Sequence, residues 1–350
     1  MNKIEPQRPW EVTRRDRINN LLIICLAIVC STALVEFTFL SGKLGFALAF
    51  FTSYQIISYL AVRNRLGKQA GKDSILKVFA FTGILLTLIP IASIVYTVFV
   101  RGYKGLHFGL LFKDMSLSSV NDPITQGGLS HALVGTIIMV TGALIISFPI
   151  GLLTALYLTE IKGKLTRPIR FLVQAMSGVP SIVAGLFILS ILVYPITKEL
   201  NGLMGSFALS ILMIPTIART TEEMLLLIPN ELREAGVALG STQWKTVSSV
   251  VLPAARSGLI TAVILGIARI IGETAPVLLV SGGGDAMNLN PGTGVMGSLP
   301  YYIWKAFLTG GTDEAFARAW AGMLVLLIFI FILFGLTRIL SGQKVKGISN

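Results

Sequence analysis

Runs of about 20 apolar residues recur along this chain, and as a helix each covers the roughly 30 Å of a bilayer's hydrocarbon. Eight segments have this character, at 21–40, 44–62, 75–100, 132–158, 171–196, 203–218, 257–281 and 319–337. At membrane depth every backbone N–H and C=O must be bonded within protein, which leaves only helices or a closed barrel. No alternating ten-residue pattern suggests a barrel, so all eight are expected to be helices. The weakest is 203–218, which is short and contains Pro215. Composition agrees, with 53% hydrophobic and 13% charged residues, against about 45–50% and about 25% in soluble domains. The expected fold class is an all-α polytopic membrane protein.

Arg14, Arg15 and Arg17 before the first apolar run imitate a signal peptide. The run is long enough to span and no small-x-small cleavage pattern follows it, so a retained helix is expected. Leu26 to Cys30 also lacks the small residue that a lipoprotein-type site needs before its cysteine. Cys25 and Cys30 share one apolar run and read as small hydrophobes. Of the 29 Lys and Arg residues, 21 fall before the first segment, after the second, fourth and sixth, and behind the last. Seven occupy the alternate loops, and Arg269 lies inside a segment. Basic residues accumulate on the cytoplasmic side. Both termini are therefore expected in the cytoplasm, with the long loops 101–131 and 282–318 outside. The basic residues form no interleaved basic and aromatic patch, so a nucleic-acid partner is not expected.

Two motifs fail on context. Gly292-Thr293-Gly294-Val295-Met296-Gly297 satisfies G-x-G-x-x-G but follows no strand and falls in an outer loop. Gly67-Lys68-Gln69-Ala70-Gly71-Lys72-Asp73 imitates a phosphate loop, yet has one residue too few between its glycines and Asp73 where Ser or Thr should meet magnesium. His107 and His131 are isolated, so no metal site is expected. Pro90, Pro149, Pro180 and Pro215 are expected to bend helices. The inner connection 219–256 reads as structured, with Asn230 as the N-cap of a short helix, Glu231 near its positive dipole end and Gly240 as its stop.

That connection carries Glu234-Ala235-Gly236, then Gly240, and Leu252-Pro253 at its end, with Val250 at the preceding hydrophobic position. It resembles the EAA loop of ABC-importer permeases, E-A-A-x-x-x-G with a distal hydrophobic-x-Leu-Pro, with Gly236 at the third position in place of Ala. The alternative is an ordinary surface helix-turn-helix joining two spans. The segments Ser177 to Gly185, Arg219 to Glu223, Leu252 to Gly258 and Ala268 to Pro276 extend the resemblance, over about 74–340, to PstA-type permeases of the phosphate-specific (Pst) system. The sister PstC-type subunit usually reads GETMA after the arginine, so Gly272-Glu273-Thr274-Ala275-Pro276 in this chain points to the PstA type.

The resemblance implies a type I ABC-importer permease core at 74–340, with 1–73 as an added pair of transmembrane helices and 341–350 as a cytoplasmic tail. It implies a phosphate pathway shared with a PstC-type permease, a PstB-type ATPase dimer docking on Glu234, Ala235, Gly236, Gly240, Leu252 and Pro253, and an extracytoplasmic phosphate-binding protein. ATP and magnesium would be used by the ATPase, with no cofactor bound and no catalysis performed by this chain.

Arg269 and Glu273 carry the chemistry within the membrane. Spaced by four on one expected helix, they share a face and can pair. A charge at the bilayer centre costs at least about 2.5–3.5 kcal/mol, so it normally faces a pathway or a partner. A guanidinium offers an oxyanion two parallel donors. The alternative is a purely structural ion pair. A permease for sulfate or molybdate would use the same arginine. An ion-coupled secondary transporter would instead show inverted repeats with paired broken helices. A membrane enzyme would need a nucleophile-base or metal constellation, and none is visible in the sequence.

Overall fold

The computed structural model describes residues 14–37 and 42–340. The expected cytoplasmic tail 341–350, together with 1–13 and 38–41, lies outside the described residues. These fall into two compact units divided between Val95 and Tyr96.

In the first unit α1 (Arg14–Phe37) runs against α2 (Gly42–Leu66), and α3 (Lys68–Gly102) begins there before continuing into the second. The basic connection expected after α2 shrinks to Gly67, whose φ of +93° reverses the chain in a single residue. Gly67-Lys68-Gln69-Ala70-Gly71 is thus a helix-glycine-helix joint. Ser58 and Ser74 tie α2 to α3 through their hydroxyls at 2.7 Å, and Arg63 lies over the Tyr59 ring at 5.8 Å.

The second unit is organised on α4 (Ser130–Leu156, continued by a π-helical turn to Ile161) and α7 (Gly202–Leu226). Small residues let the two backbones approach, since lipid gives no hydrophobic drive between helices and close packing must supply the attraction. A Cβ on Gly142 would stand 2.5 Å from Ser206 Oγ, and one on Gly151 2.7 Å from Ile217 Cγ2. The weakest expected segment is therefore among the firmest, because α7 continues through Pro215 and the Arg219 to Glu223 stretch expected in the inner connection.

The segment expected as one helix at 171–196 is two. α5 (Thr166–Ser177) meets α6 (Ser181–Ile188, extended by a π-helical stretch to Thr197) at an angle of 104°. Pro180 occupies the corner, and Arg170 on α5 pairs with Glu222 on α7 at 2.6 Å. Pro90, Pro149 and Pro215 sit inside continuous helices, so of the four prolines only Pro180 stands at a break. The connection after α7 forms an arm of short helices, α8 (Asn230–Ala238), α9 (Gln243–Thr246) with a π-helical turn after it, and α10 (Leu252–Ala254). It bends 71° into α11 (Arg256–Ile270), and α12 (Ala275–Ser281) follows a break. α13 (Leu299–Thr309) and α14 (Asp313–Leu340) close the fold. Six described helices are long and apolar enough to span, or eight spans if each bent pair counts as one.

The two long loops, 103–129 and 282–298, are anchored from α14 and α13. Arg318, expected in an outer loop, is 0% exposed. It donates through Nη2 to the carbonyls of Asp122, Pro123 and Gln126 at 3.1, 2.7 and 2.6 Å. Those carbonyls give the buried guanidinium the acceptors without which burying a charge is prohibitive. Asp285 pairs with Lys305 across the second loop. Asp114 is held below the usual carboxylate value, first by the Ser116 hydroxyl and then by the Met287 N–H, which joins the two loops.

Candidate functional site

The break in the span expected at 257–281 falls on the residues singled out for anion chemistry. Arg269 is in the last turn of α11, where a cation complements the negative end of the helix dipole. α11 then stops at Ile270, and Glu273 lies beyond it with its N–H on the Ile270 carbonyl at 3.1 Å. The two residues are therefore not four apart on one helical face, and among the described residues no ion pair joins them. Beyond the break Pro276 stands in the first turn of a new helix, α12, where its missing N–H and fixed φ suit it. α12 is held against α6, where a Cβ on Gly185 would come 2.7 Å from Pro276 Cα.

Their surroundings differ. Glu273 is half-buried and lines a cavity of about 10 Å³ with Thr136 and Ser298 among apolar neighbours. That is room for about one water and no oxyanion. Arg269 is exposed on the surface of the chain. Unwound backbone at membrane depth occurs where it is buried in protein or lines an aqueous path. The break therefore leaves a guanidinium on the surface of this chain.

The second place is the arm of short helices after α7. Asn230 is the first helical residue of α8 rather than its N-cap, and its side chain makes no cap bond. Pro229 takes the cap position with extended backbone, and Arg233 Nη1 approaches Asn230 Oδ1 at 3.4 Å. Gly240 ends the helix as expected, at φ +82°, with Ser241 N–H on the Gly236 carbonyl at 3.2 Å and Gly240 N–H on the Val237 carbonyl at 2.9 Å. This is the doubly bonded glycine stop of a helix. Gly236 is buried against α9, where an added Cβ would fall 2.5 Å from Thr246 Cγ2. The departure from Ala at this position therefore matches the tight seat of α8 on α9.

Glu234, Ala235 and Pro253 are exposed. Leu252 packs instead on the cluster of Ala155, Leu156, Leu225, Val247, Val251 and Ala255 that roots the arm on α4 and α7. Arg233 is the residue that sequence reasoning missed. It bonds Glu160 on the turn after α4, with Nη2 to Oε1 at 2.9 Å, and caps α7 by donating to the carbonyls of Leu225 and Ile228 at 2.8 and 2.6 Å. Gln243 Nε2 also reaches the Glu160 carbonyl at 2.7 Å. Leu239 at 87% and Trp244 at 62% exposure lie on this polar arm, beyond the apolar spans. Their signal in sequence was an aliphatic and an aromatic residue flanking the glycine stop.

A bundle of long apolar helices with an arm of short helices rooted on α4 and α7 is the architecture of a membrane permease. Residues 147–345 match the family described as binding-protein-dependent transport system inner membrane component. A phosphate transport system permease protein PstA 1 from Mycobacterium tuberculosis (strain ATCC 25618 / H37Rv) is 38% identical over 272 residues, 77% of this chain and 86% of that relative. The phosphate transport system permease protein PstA of Pasteurella multocida is 35% identical over 279 residues, 79% of this chain and 96% of the relative. The chain belongs to the PstA family of permease proteins within that larger transport family. An inward-facing structure of the MetNI methionine ABC transporter, 21% identical, covers 61% of this chain and 93% of its own at a TM-score of 0.50, which shows a shared fold.

Proposed function

We propose that this chain is a permease subunit that carries inorganic phosphate inward at the expense of ATP. It forms one side of the pathway, and a PstC-type permease forms the other. A PstB-type ATPase dimer, using ATP and magnesium, docks on the arm from Glu234 to Gly240 and on the exposed Leu239 and Trp244. An extracytoplasmic binding protein delivers phosphate to the loops anchored by Arg318. Both termini and the segment 341–350 face the cytoplasm, and 1–73 is an addition to a core at 74–340. This chain binds no cofactor.

The observation that carries the reading is the exposed Arg269 at a broken span, in a chain whose own cavity beside Glu273 is too small for an anion. An intramembrane guanidinium on an outer surface is stable when a partner subunit closes an aqueous path over it. The relatives' names specify phosphate, and the arginine suits it. The test is labelled-phosphate uptake by cells with and without this chain, with excess sulfate or molybdate as competitor. Uptake is expected to require the chain and to resist both competitors. Equal competition by either would assign a different oxyanion.

A further inference from the structure

One residue at the end of α4 receives two short helices of the arm. Arg233 on α8 meets the Glu160 carboxylate with two prongs, Nη2 to Oε1 at 2.9 Å and Nε to Oε2 at 3.1 Å. Gln243 on α9 donates to the carbonyl of the same glutamate at 2.7 Å. The other donors of the guanidinium reach the Leu225 and Ile228 carbonyls, at the end of α7, and Asn230 Oδ1 on α8 itself. All five N–H groups of Arg233 thus have acceptors, and a guanidinium offers them only in a rigid planar fork. The side chains of Arg233 and Glu160 are 20% and 6% exposed, so the pair is shielded from water. Glu160 also stands on unusual backbone. It lies in the π-helical turn Tyr157–Ile161, which ends at Lys162 in the left-handed region at φ +51°. A π turn and a non-glycine residue in that region are both uncommon, and they concentrate at functional sites and switches.

The arm has a second attachment in the apolar cluster that includes Leu156, Leu225, Val247 and Val251. Apolar attraction is non-directional, so the cluster holds the arm on the spans without setting its angle. The two-pronged pair sets it, because a bidentate ion pair adds geometric specificity to its energy. α4 and α7 are in turn seamed through Gly142 and Gly151, so a rotation of α8 carried through Glu160 reaches both spans. On the reading of this arm as the seat of the ATPase, on which the inference rests, we propose that Glu160 and Arg233 are positioning residues for transport. They transmit the ATPase's movement from α8 to α4 and α7, whereas the exposed Glu234, Ala235, Leu239 and Trp244 hold the ATPase. Docking and transmission are thereby carried by different residues of one arm.

The test uses the transporter assembled with its partner subunits in proteoliposomes. Two quantities are read, labelled phosphate imported per ATP hydrolysed and ATPase copurified per permease. Glu160→Gln keeps the side-chain shape and removes the charge, whereas Arg233→Lys keeps the charge and removes the fork. Each loses at least one hydrogen bond to a charged group, so phosphate per ATP is expected to fall at least about tenfold in both. Copurified ATPase is expected to stay at the wild-type level. Arg170→Gln, which breaks the exposed pair with Glu222 away from the arm, is expected to leave both quantities unchanged. Circular dichroism confirms that each variant folds, and Arg233→Lys carries the test if Glu160→Gln does not fold. A wild-type ratio of phosphate to ATP in a folded variant would overturn the inference and reduce the pair to a structural clamp. Loss of copurified ATPase in step with uptake, or an equal fall with Arg170→Gln, would overturn it too. A wild-type preparation that carries no ATPase would instead overturn the docking reading, and this inference with it.

Discussion

Single residues decide where this chain turns and where it is clamped. Gly240 is in the left-handed region at φ +82°, with open space where a side chain would project, so its requirement is conformational rather than steric. A β-branched residue there costs about 1–2 kcal/mol of backbone strain. Gly240→Val is expected to insert normally but to lose copurification of the ATPase, and retained copurification would remove the glycine stop from the docking account. Arg318 is the opposite case, where the side chain is the clamp. Arg318→Met leaves three loop carbonyls without their donor, and hydrogen bonds to a charged group are worth about 1.5–3 kcal/mol each. The expected result is a thermal midpoint in detergent lower by several degrees, read by circular dichroism. Gly240 was legible in sequence because only glycine suits such a stop. Arg318 was not, because its acceptors are backbone carbonyls nearly 200 residues away in the chain, and carbonyls carry no sequence signature.

At the scale of elements, the apolar runs predicted the existence of the helices but not their direction. Hydropathy reports that 171–196 and 257–281 are apolar, which is indifferent to whether the backbone turns within them. Both turns left a trace, Gly178-Val179-Pro180 in one and Ala275-Pro276 in the other, since a residue before proline is biased away from helix. Pro90, Pro149 and Pro215 carry the same signal inside continuous helices, so tertiary packing decided which proline mattered. The pairing of Arg269 with Glu273 failed for this reason, since the i to i+4 rule holds only within an unbroken helix. Helix contact through glycine gives a test at this scale. Gly142→Leu and Gly151→Leu overfill the α4 and α7 seam, where overpacking costs about 1–3 kcal/mol. Both are expected to lower the yield of folded protein, whereas Gly335→Leu, with nothing within 4 Å of its added Cβ, is expected to be neutral. Equal yields would show that the seam is not closely packed.

For the whole molecule, the charge bias between segments predicts an orientation. Cysteines introduced at Lys68 and Lys164 are expected to resist an impermeant thiol reagent applied to intact cells, and one at Leu289 to react, each in a background lacking Cys25 and Cys30. The opposite pattern would invert the topology and put the docking arm outside. The transport account turns on Arg269, which the fold leaves exposed on a broken span and without Glu273 as its helical partner. Arg269→Lys keeps the charge and loses the planar two-donor fork, and the exchange Arg269→Glu with Glu273→Arg tests pairing directly. The decisive measurement is labelled-phosphate uptake by both variants at matched membrane abundance with the ATPase bound. The account predicts that Arg269→Lys depresses uptake at least about tenfold and that the exchange restores none of it; near-normal uptake by either variant would contradict it and make Arg269 a structural residue.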